Sequence, residues 1–377
     1  MMLVSKVGEC KGALVLCDKR SNIALDKWDF SLRVCSMKSL LRWIQAAMLS
    51  LLVLIFAGAI VRATGSGLGC PDWPKCWGCL IPPTSTEQVD FDRIDLDRFK
   101  AKAERAGRNP DEITRESLHE EFSAFHTWVE FVNRLFALPM LLTTLVAFIM
   151  SLALRQSGGL IRWMSGLSLF TVLLNAWLGA RVVYSGLKPG VITTHLALAF
   201  LLMIFLVVAI VKVKAKLGRN RLKSGRGALW SAIVIMVFLI IEGLMGAQLR
   251  EVTDELAKAN FGADRATWTA ELQSLGVFYF HRAFSWSVLI GVLAFMWFVK
   301  RDRGYFSILE GSLVVMVFAL MVMGIVLGHF GIYPWVQVLH VGVAAVLFYV
   351  VAYWVAERLW MHEAGSDNAT LDLGERA

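Results

Sequence analysis

Charge is scarce in this 377-residue chain: Asp, Glu, Lys and Arg together make up 18%, and hydrophobic residues 57%. An ordinary soluble domain is roughly 45–50% apolar, so a conventional water-soluble core is excluded. Residues 1–37 have no apolar h-region and are not read as a secretory signal. They also lack the Arg- and Ser-rich amphipathic pattern of a mitochondrial transit peptide. Cys76-x-x-Cys79 is followed by Leu80 rather than histidine, which excludes c-type haem attachment. With Cys70 these cysteines still fall short of a zinc site unless a histidine joins them. The net charge of +8 does not imply nucleic acid, because the basic residues lie in short connections between apolar runs.

What the chain has in abundance is membrane-spanning sequence. Apolar runs near 42–63, 126–153, 161–182, 190–213, 229–249, 277–299, 305–328 and 335–356 each reach the length of about 20 residues that crosses a bilayer. Only His329 to Pro334 separates the last two. Lys38 and Arg42 precede the first span, Arg155 and Arg162 flank the second connection, Lys212 to Arg226 crowd the fourth, and Lys300, Arg301 and Arg303 fill the sixth. These alternate connections share one side, which the positive-inside rule assigns to the cytoplasm together with both termini. The fold class is therefore all-α and integral to the membrane, with eight transmembrane helices.

Residues 1–37 form an N-terminal extension containing Cys10, Cys17 and Cys35, with Met37-Lys38-Ser39 resembling a natural start. Three cysteines on the reducing side are most simply free thiols. The Gly- and Pro-rich stretch from Gly65 to Cys79 predicts a tight outer loop, in which a disulfide joins Cys70 to either Cys76 or Cys79. From Thr84 to Phe122 the charged sequence predicts a solvated cap of two amphipathic helices interrupted by Asn109-Pro110-Asp111. The connection from Arg250 to Gly276 has the same character. Residues 359–377 are a polar tail.

The spans divide into two sets of four. Gly58-Ala-Ile-Val-Arg62 recurs as Gly246-Ala-Gln-Leu-Arg250, Asn133-Arg134 as His281-Arg282, Leu178-Gly179 as Leu327-Gly328, and Thr194-His195-Leu196 as Leu339-His340-Val341. A four-span shift preserves orientation, so the halves are parallel repeats: 38–213 with outer loop 65–122, and 228–358, joined by a basic linker at 214–227. In the second half His281 and His340 enter from the outer face at equivalent depth, which suits two axial ligands on one haem iron. The first half offers Asn133 and His195, one strong ligand and one poor one. This asymmetry gives the second half a resident cofactor and the first a porphyrin that exchanges. Arg62, Arg134, Arg181, Lys188, Arg250 and Arg282 lie near the outer end and could pair with propionates. His126, Glu130 and Asn133 share one helix face. A carboxylate inside a span marks a site or a buried ion pair with Arg134, one turn away. Burial disfavours its charge and Arg134 favours it, which suits a proton relay or the steadying of a cationic intermediate. Glu242 is a second intramembrane carboxylate, with no role assigned.

At these residues the chain resembles the haem A synthase family, from about Leu41 to Trp354. The most specific stretch is Gly58 to Cys76, followed by Glu130-x-x-x-Arg134, Tyr184-Ser185-Gly186-Leu187 before Thr194-His195, the His281-Arg282 pair and His340. The resemblance implies an internally duplicated eight-helix fold with haem b on His281 and His340. Substrate haem O would sit near His195 and Glu130, its C8 methyl being oxidised to a formyl by successive hydroxylation to give haem A for a terminal oxidase. It also implies a Cys70–Cys76 disulfide with Cys79 extra, a bacterial inner-membrane location, delivery of haem O by its synthase, an electron donor the sequence does not identify, and an oligomeric state left open.

One departure is that Asn133 stands where many members have histidine. The preferred reading is that Asn133 only hydrogen-bonds, leaving the substrate iron held by His195. Substitution by His126 would require reaching about 10 Å along the helix. The competing function is a dihaem b-type electron-transfer or haem-carrier protein. It needs two strong ligand pairs, and Asn133 opposes it.

Overall fold

The computed structural model describes residues 22–72, 74–105, 109–185, 190–260 and 264–363. Cys10, Cys17, Gly186, Leu187 and Lys188 lie outside the described residues, as does the tail from 364. Eight helices are long and apolar enough to cross a membrane, as the hydropathy pattern predicts. They are α1 (Asn22–Ala63), α2 (Ala124–Ala153), α3 (Gly159–Tyr184), α4 (Val191–Lys216), α5 (Arg226–Ala259), α6 (Gly276–Arg303), α7 (Ile308–His329) and α8 (Pro334–Trp360). The chain is a multi-pass membrane protein.

Two boundaries differ from expectation. α1 begins at Asn22, well inside the stretch set aside as an extension. α5 runs on past Arg250 to Ala259 rather than ending in a loop, because the Glu, Asp and Lys residues that lower its hydropathy are good enough helix formers once the membrane is left behind. The short break before α8 is sharp: α7 stops at His329, and Pro334 opens α8 at a position where its missing N–H costs nothing.

Helices α1 to α4 close into a ring, each touching the next and α4 returning to α1; α5 to α8 do the same. The rings meet where α1 packs on α8, α4 on α5 and α4 on α8. The most heavily buried spans, α4 and α8, therefore lie at the centre of the molecule. Aromatic rings seated on glycines hold the two rings together. Phe56 of α1 lies over Gly342 of α8, and Phe200 of α4 over Gly243 of α5 and against Phe348. Small residues at such crossings allow the close approach that membrane helices need in place of a hydrophobic driving force.

On the side of the basic connections, ionisable groups are capped. Asp302 Oδ2 accepts from Gly225 N at the start of α5, at 2.6 Å. Buried Glu310 closes a capping box with Ser307, pairs with Arg303 and accepts from Trp354 Nε1 at 3.1 Å. The opposite end, termed outer for the orientation that the charge pattern implies, carries the long connections. The segment after Thr84 folds into helices Leu96–Arg105 and Arg115–Glu121 around a turn at Pro110–Glu112, matching the expected interruption. It is more than a solvated cap. Trp77, Val89, Ile113 and Leu118 form a small core of their own, with Phe91, Phe99 and Phe122 against it.

Candidate functional site

The second ring brings together what the sequence placed on separate helices. The rings of His281 (α6) and His340 (α8) have centroids 6.4 Å apart, inclined at 63°. An imidazole bonded to a metal at about 2 Å has its ring centre a little over 3 Å from that metal, so two rings on opposite sides of one iron stand about 6 Å apart. The spacing therefore fits a shared iron. Each ring also rests against a glycine of a neighbouring helix. A Cβ at Gly246 (α5) would meet His281 Cε1 at 3.6 Å, and one at Gly324 (α7) would meet His340 Cε1 at 3.8 Å. Buried polar atoms gather here without aligned hydrogen-bond partners: Nδ1 of both histidines, both carboxylate oxygens of Glu242, and Gln337 Oε1. Buried polar groups are nearly always satisfied in the folded chain. Unsatisfied atoms on three helices of the second ring, α5, α6 and α8, are what a ligand bearing its own polar centre would satisfy.

The first ring repeats this plan with one member changed. His195 (α4) rests on Gly179 (α3), with Cε1 3.4 Å from a Cβ built there. Gly179 precedes His195 by the same interval as Gly324 precedes His340. The geometric counterpart of Gly179 is thus Gly324, not Gly328, whose neighbour is Phe278. Opposite His195 the sequence supplies Asn133 (α2) and Gly58 (α1). No heavy atom lies within 4 Å of a Cβ built at Gly58, and Asn133 Oδ1 is buried without a hydrogen-bond partner, as is Asn175 Oδ1. A cavity of about 280 Å³ lies between α1 and α2, lined by Ala57, Ile60, Val129, Val132, Asn133 and Phe136. His126 is turned away to the outer loop, its Nδ1 2.9 Å from Ser66 Oγ.

Glu130 is 3% exposed and is held between α2 and the outer loop. Its Oε2 accepts from Cys70 N at 2.7 Å and its Oε1 pairs with Arg134 at 2.5 Å. Arg134 also donates to Cys70 O at 2.7 Å and Lys75 O at 3.3 Å. Cys70 is disulfide-bonded to Cys76, and both are fully buried. Cys79 stays out of the bond because it closes a two-residue turn with Cys76 through reciprocal hydrogen bonds of 2.8 and 3.2 Å. That turn needs positive φ at Trp77 and Gly78, 56° and 80°. Asp72 stabilises it by accepting from both backbone N–H groups, at 2.7 and 2.6 Å. The Trp77 indole donates to Gly69 O at 2.8 Å, fastening the turn to the loop.

Of the arginines considered for propionates, Arg62 and Arg250 are engaged with each other's helices. Both pair with Asp254, and Arg250 Nη2 donates to Arg62 O at 2.5 Å, tying α1 to α5. Arg181 and Arg282 are exposed and have no ion-pair partner among the described residues. Sequence reasoning singled out the histidines but left Glu242 without a role. Its carboxylate lies 2.5 Å from His281 Nδ1.

The profile of COX15-CtaA, described as cytochrome oxidase assembly protein, matches residues 41–352. The chain belongs to that family. Similar proteins named heme A synthase include one from Lysinibacillus sphaericus, 24% identical over 57% of this chain and 60% of its own length. Another, from Shewanella oneidensis, is 25% identical over 44% of this chain and 43% of its own length, so in both the chain spans less than two thirds of the relative. A third, from Sphingopyxis alaskensis, is 25% identical over 83% of this chain and 90% of its own length. The COX15-CtaA match covers both helix rings and the Gly65 to Cys79 loop between α1 and α2.

Proposed function

We propose that this protein is a haem A synthase of the bacterial inner membrane, an oxidoreductase that converts the C8 methyl of haem O to a formyl. The observation that carries the reading is the unequal pair of centres. One has two histidine rings 6.4 Å apart, and the other has a single histidine, resting on Gly179, with asparagine at the sequence position that matches His281. An iron held from both sides suits electron transfer, and one held from one side suits a porphyrin that must enter, react and leave.

In this reading His281 and His340 hold haem b, which when bound supplies one-electron transfer. His195 binds the iron of the substrate haem O, and the Asn133 side stays open. Arg282 and Arg181, without ion-pair partners among the described residues, take propionate carboxylates in the second and first halves, while Arg62, Arg134 and Arg250 hold the outer structure together. Glu130, fixed by Cys70 N and Arg134, presents a carboxylate beside the substrate half that takes up a proton or steadies positive charge as the methyl group is oxidised. His126 belongs to the loop attachment. Haem O reaches the site from its synthase, and an electron donor acts at the second half.

The test is pigment extraction and mass analysis after expression with and without haem O, alongside Asn133→His and His195→Ala. Hydroxylated or formylated haem that requires haem O and disappears in His195→Ala is the expected result. Recovery of unmodified haem b alone under every condition would withdraw the enzyme reading in favour of a haem carrier.

A further inference from the structure

Three histidines rest on glycines: His195 on Gly179, His281 on Gly246 and His340 on Gly324. Nδ1 of His195 and of His340 is buried without a hydrogen-bond partner, and neither ring pairs with a carboxylate among the described residues. His281 differs: Glu242, one turn before Gly246, brings Oε2 to 2.5 Å from Nδ1, out of line for a straight hydrogen bond. The matching position before Gly58 is Leu54. Of the three, His281 alone meets a carboxylate among the described residues.

Glu242 is an expensive residue to keep in a span, and its side chain is only 11% exposed. Glu130 and Glu310 have arginine partners. Among the described residues no arginine or lysine pairs with Glu242, and His281 is its only ion-pair neighbour. Its burial is not explained by a structural ion pair. It is explained if the His281 ring must be held with Nδ1 towards the carboxylate and Nε2 towards the space shared with His340.

We propose that Glu242 is a positioning residue for the second-half centre, which orients His281 through Nδ1 and lowers the reduction potential of the iron between His281 and His340. The inference rests on the reading of those histidines as haem ligands. A carboxylate on the far nitrogen of a ligating imidazole fixes its tautomer and raises its basicity, and an anion so close favours the more positive ferric state. His340, with no carboxylate paired to it among the described residues, lacks this. The iron would be held unequally, more strongly from α6 than from α8, and the second half would be the better electron source for the first.

The experiment is a redox titration of purified full-length protein, with optical and electron paramagnetic resonance spectra, for the wild type, Glu242→Gln, Glu242→Leu and Glu242→Asp. His281→Ala and His340→Ala serve as reference. The midpoint potential of the low-spin haem is expected to rise in Glu242→Gln, to rise further in Glu242→Leu with some haem becoming high-spin, and to stay nearer the wild type in Glu242→Asp. Loss of haem from a Glu242→Gln protein with an intact helical circular dichroism spectrum also supports the role. If potential and spin state are the same in all four, the proposal falls while the ligand assignment stands. If the wild type has no low-spin haem that His281→Ala or His340→Ala abolishes, the ligand assignment fails and takes the proposal with it.

Discussion

Gly69 of the outer loop packs directly on the backbone of α2, and replacing it by alanine should uncouple the loop from Glu130. A Cβ at Gly69 would stand 2.3 Å from His126 O, 2.4 Å from its carbonyl carbon and 2.8 Å from Thr127 N, all backbone atoms of a helix that cannot give way. The loop must retreat by about 1 Å to reach ordinary contact distance. That retreat stretches four hydrogen bonds: Thr127 Oγ1 to Gly69 O, Trp77 Nε1 to Thr127 Oγ1, Cys70 N to Glu130, and Arg134 to Cys70 O. The two involving charged groups are worth about 1.5–3 kcal/mol each and the neutral ones about 1. Losing all four would cost roughly 5–8 kcal/mol, and partial retention makes about 3 kcal/mol the reasonable expectation. Such a loss raises the population of the open loop about 100-fold. Tryptic cleavage after exposed Lys75 and alkylation of the cysteines under mild reduction should speed up accordingly, and formyl haem should fall while haem b is kept. Gly159→Ala, at a helical position with open space around it, is the neutral control. Wild-type cleavage and conversion in Gly69→Ala would refute the idea that this contact holds Glu130 in place.

Three further outcomes are expected. Glu130→Gln keeps the volume and an acceptor for Cys70 N but removes the charge, so formyl and hydroxylated haem should drop at least tenfold (about 1.4 kcal/mol or more of barrier) with the haem b spectrum unchanged; full conversion would make the residue purely structural. Asn133→His should place an imidazole opposite His195, giving a second low-spin haem and slower binding of cyanide or imidazole, read by absorption spectroscopy; unchanged ligand binding would show that Asn133 does not face the iron. Gly342→Ala puts a Cβ 2.0 Å from Phe56 Cζ, and overpacking of this kind costs about 1–3 kcal/mol. The thermal unfolding midpoint should fall and recover in part when Phe56 is shortened to Leu; an unshifted midpoint would mean that this ring does not pin the two halves.

The eight spans, their alternating charge and the two helices of the outer cap were determined by the sequence alone, because hydropathy, basic clusters and an Asn-Pro-Asp break are properties of neighbouring residues. So was the unequal supply of histidines, since Asn133 can be read directly beside His195, His281 and His340. The extension of α5 to Ala259 escaped because leaving the membrane looks the same in hydropathy whether the helix stops or continues. The core around Trp77 escaped because its members are scattered from Val89 to Phe122 within a charged sequence. Only packing decided that His281 and His340 stand 6.4 Å apart, that Glu242 reaches His281 from another helix, and that Arg62 and Arg250 share Asp254. Helical periodicity gives the face a side chain occupies, whereas a contact between residues far apart in the chain depends on the depth and rotation of both helices. Those are set by glycines such as Gly246, Gly324 and Gly342, whose partners no local pattern names.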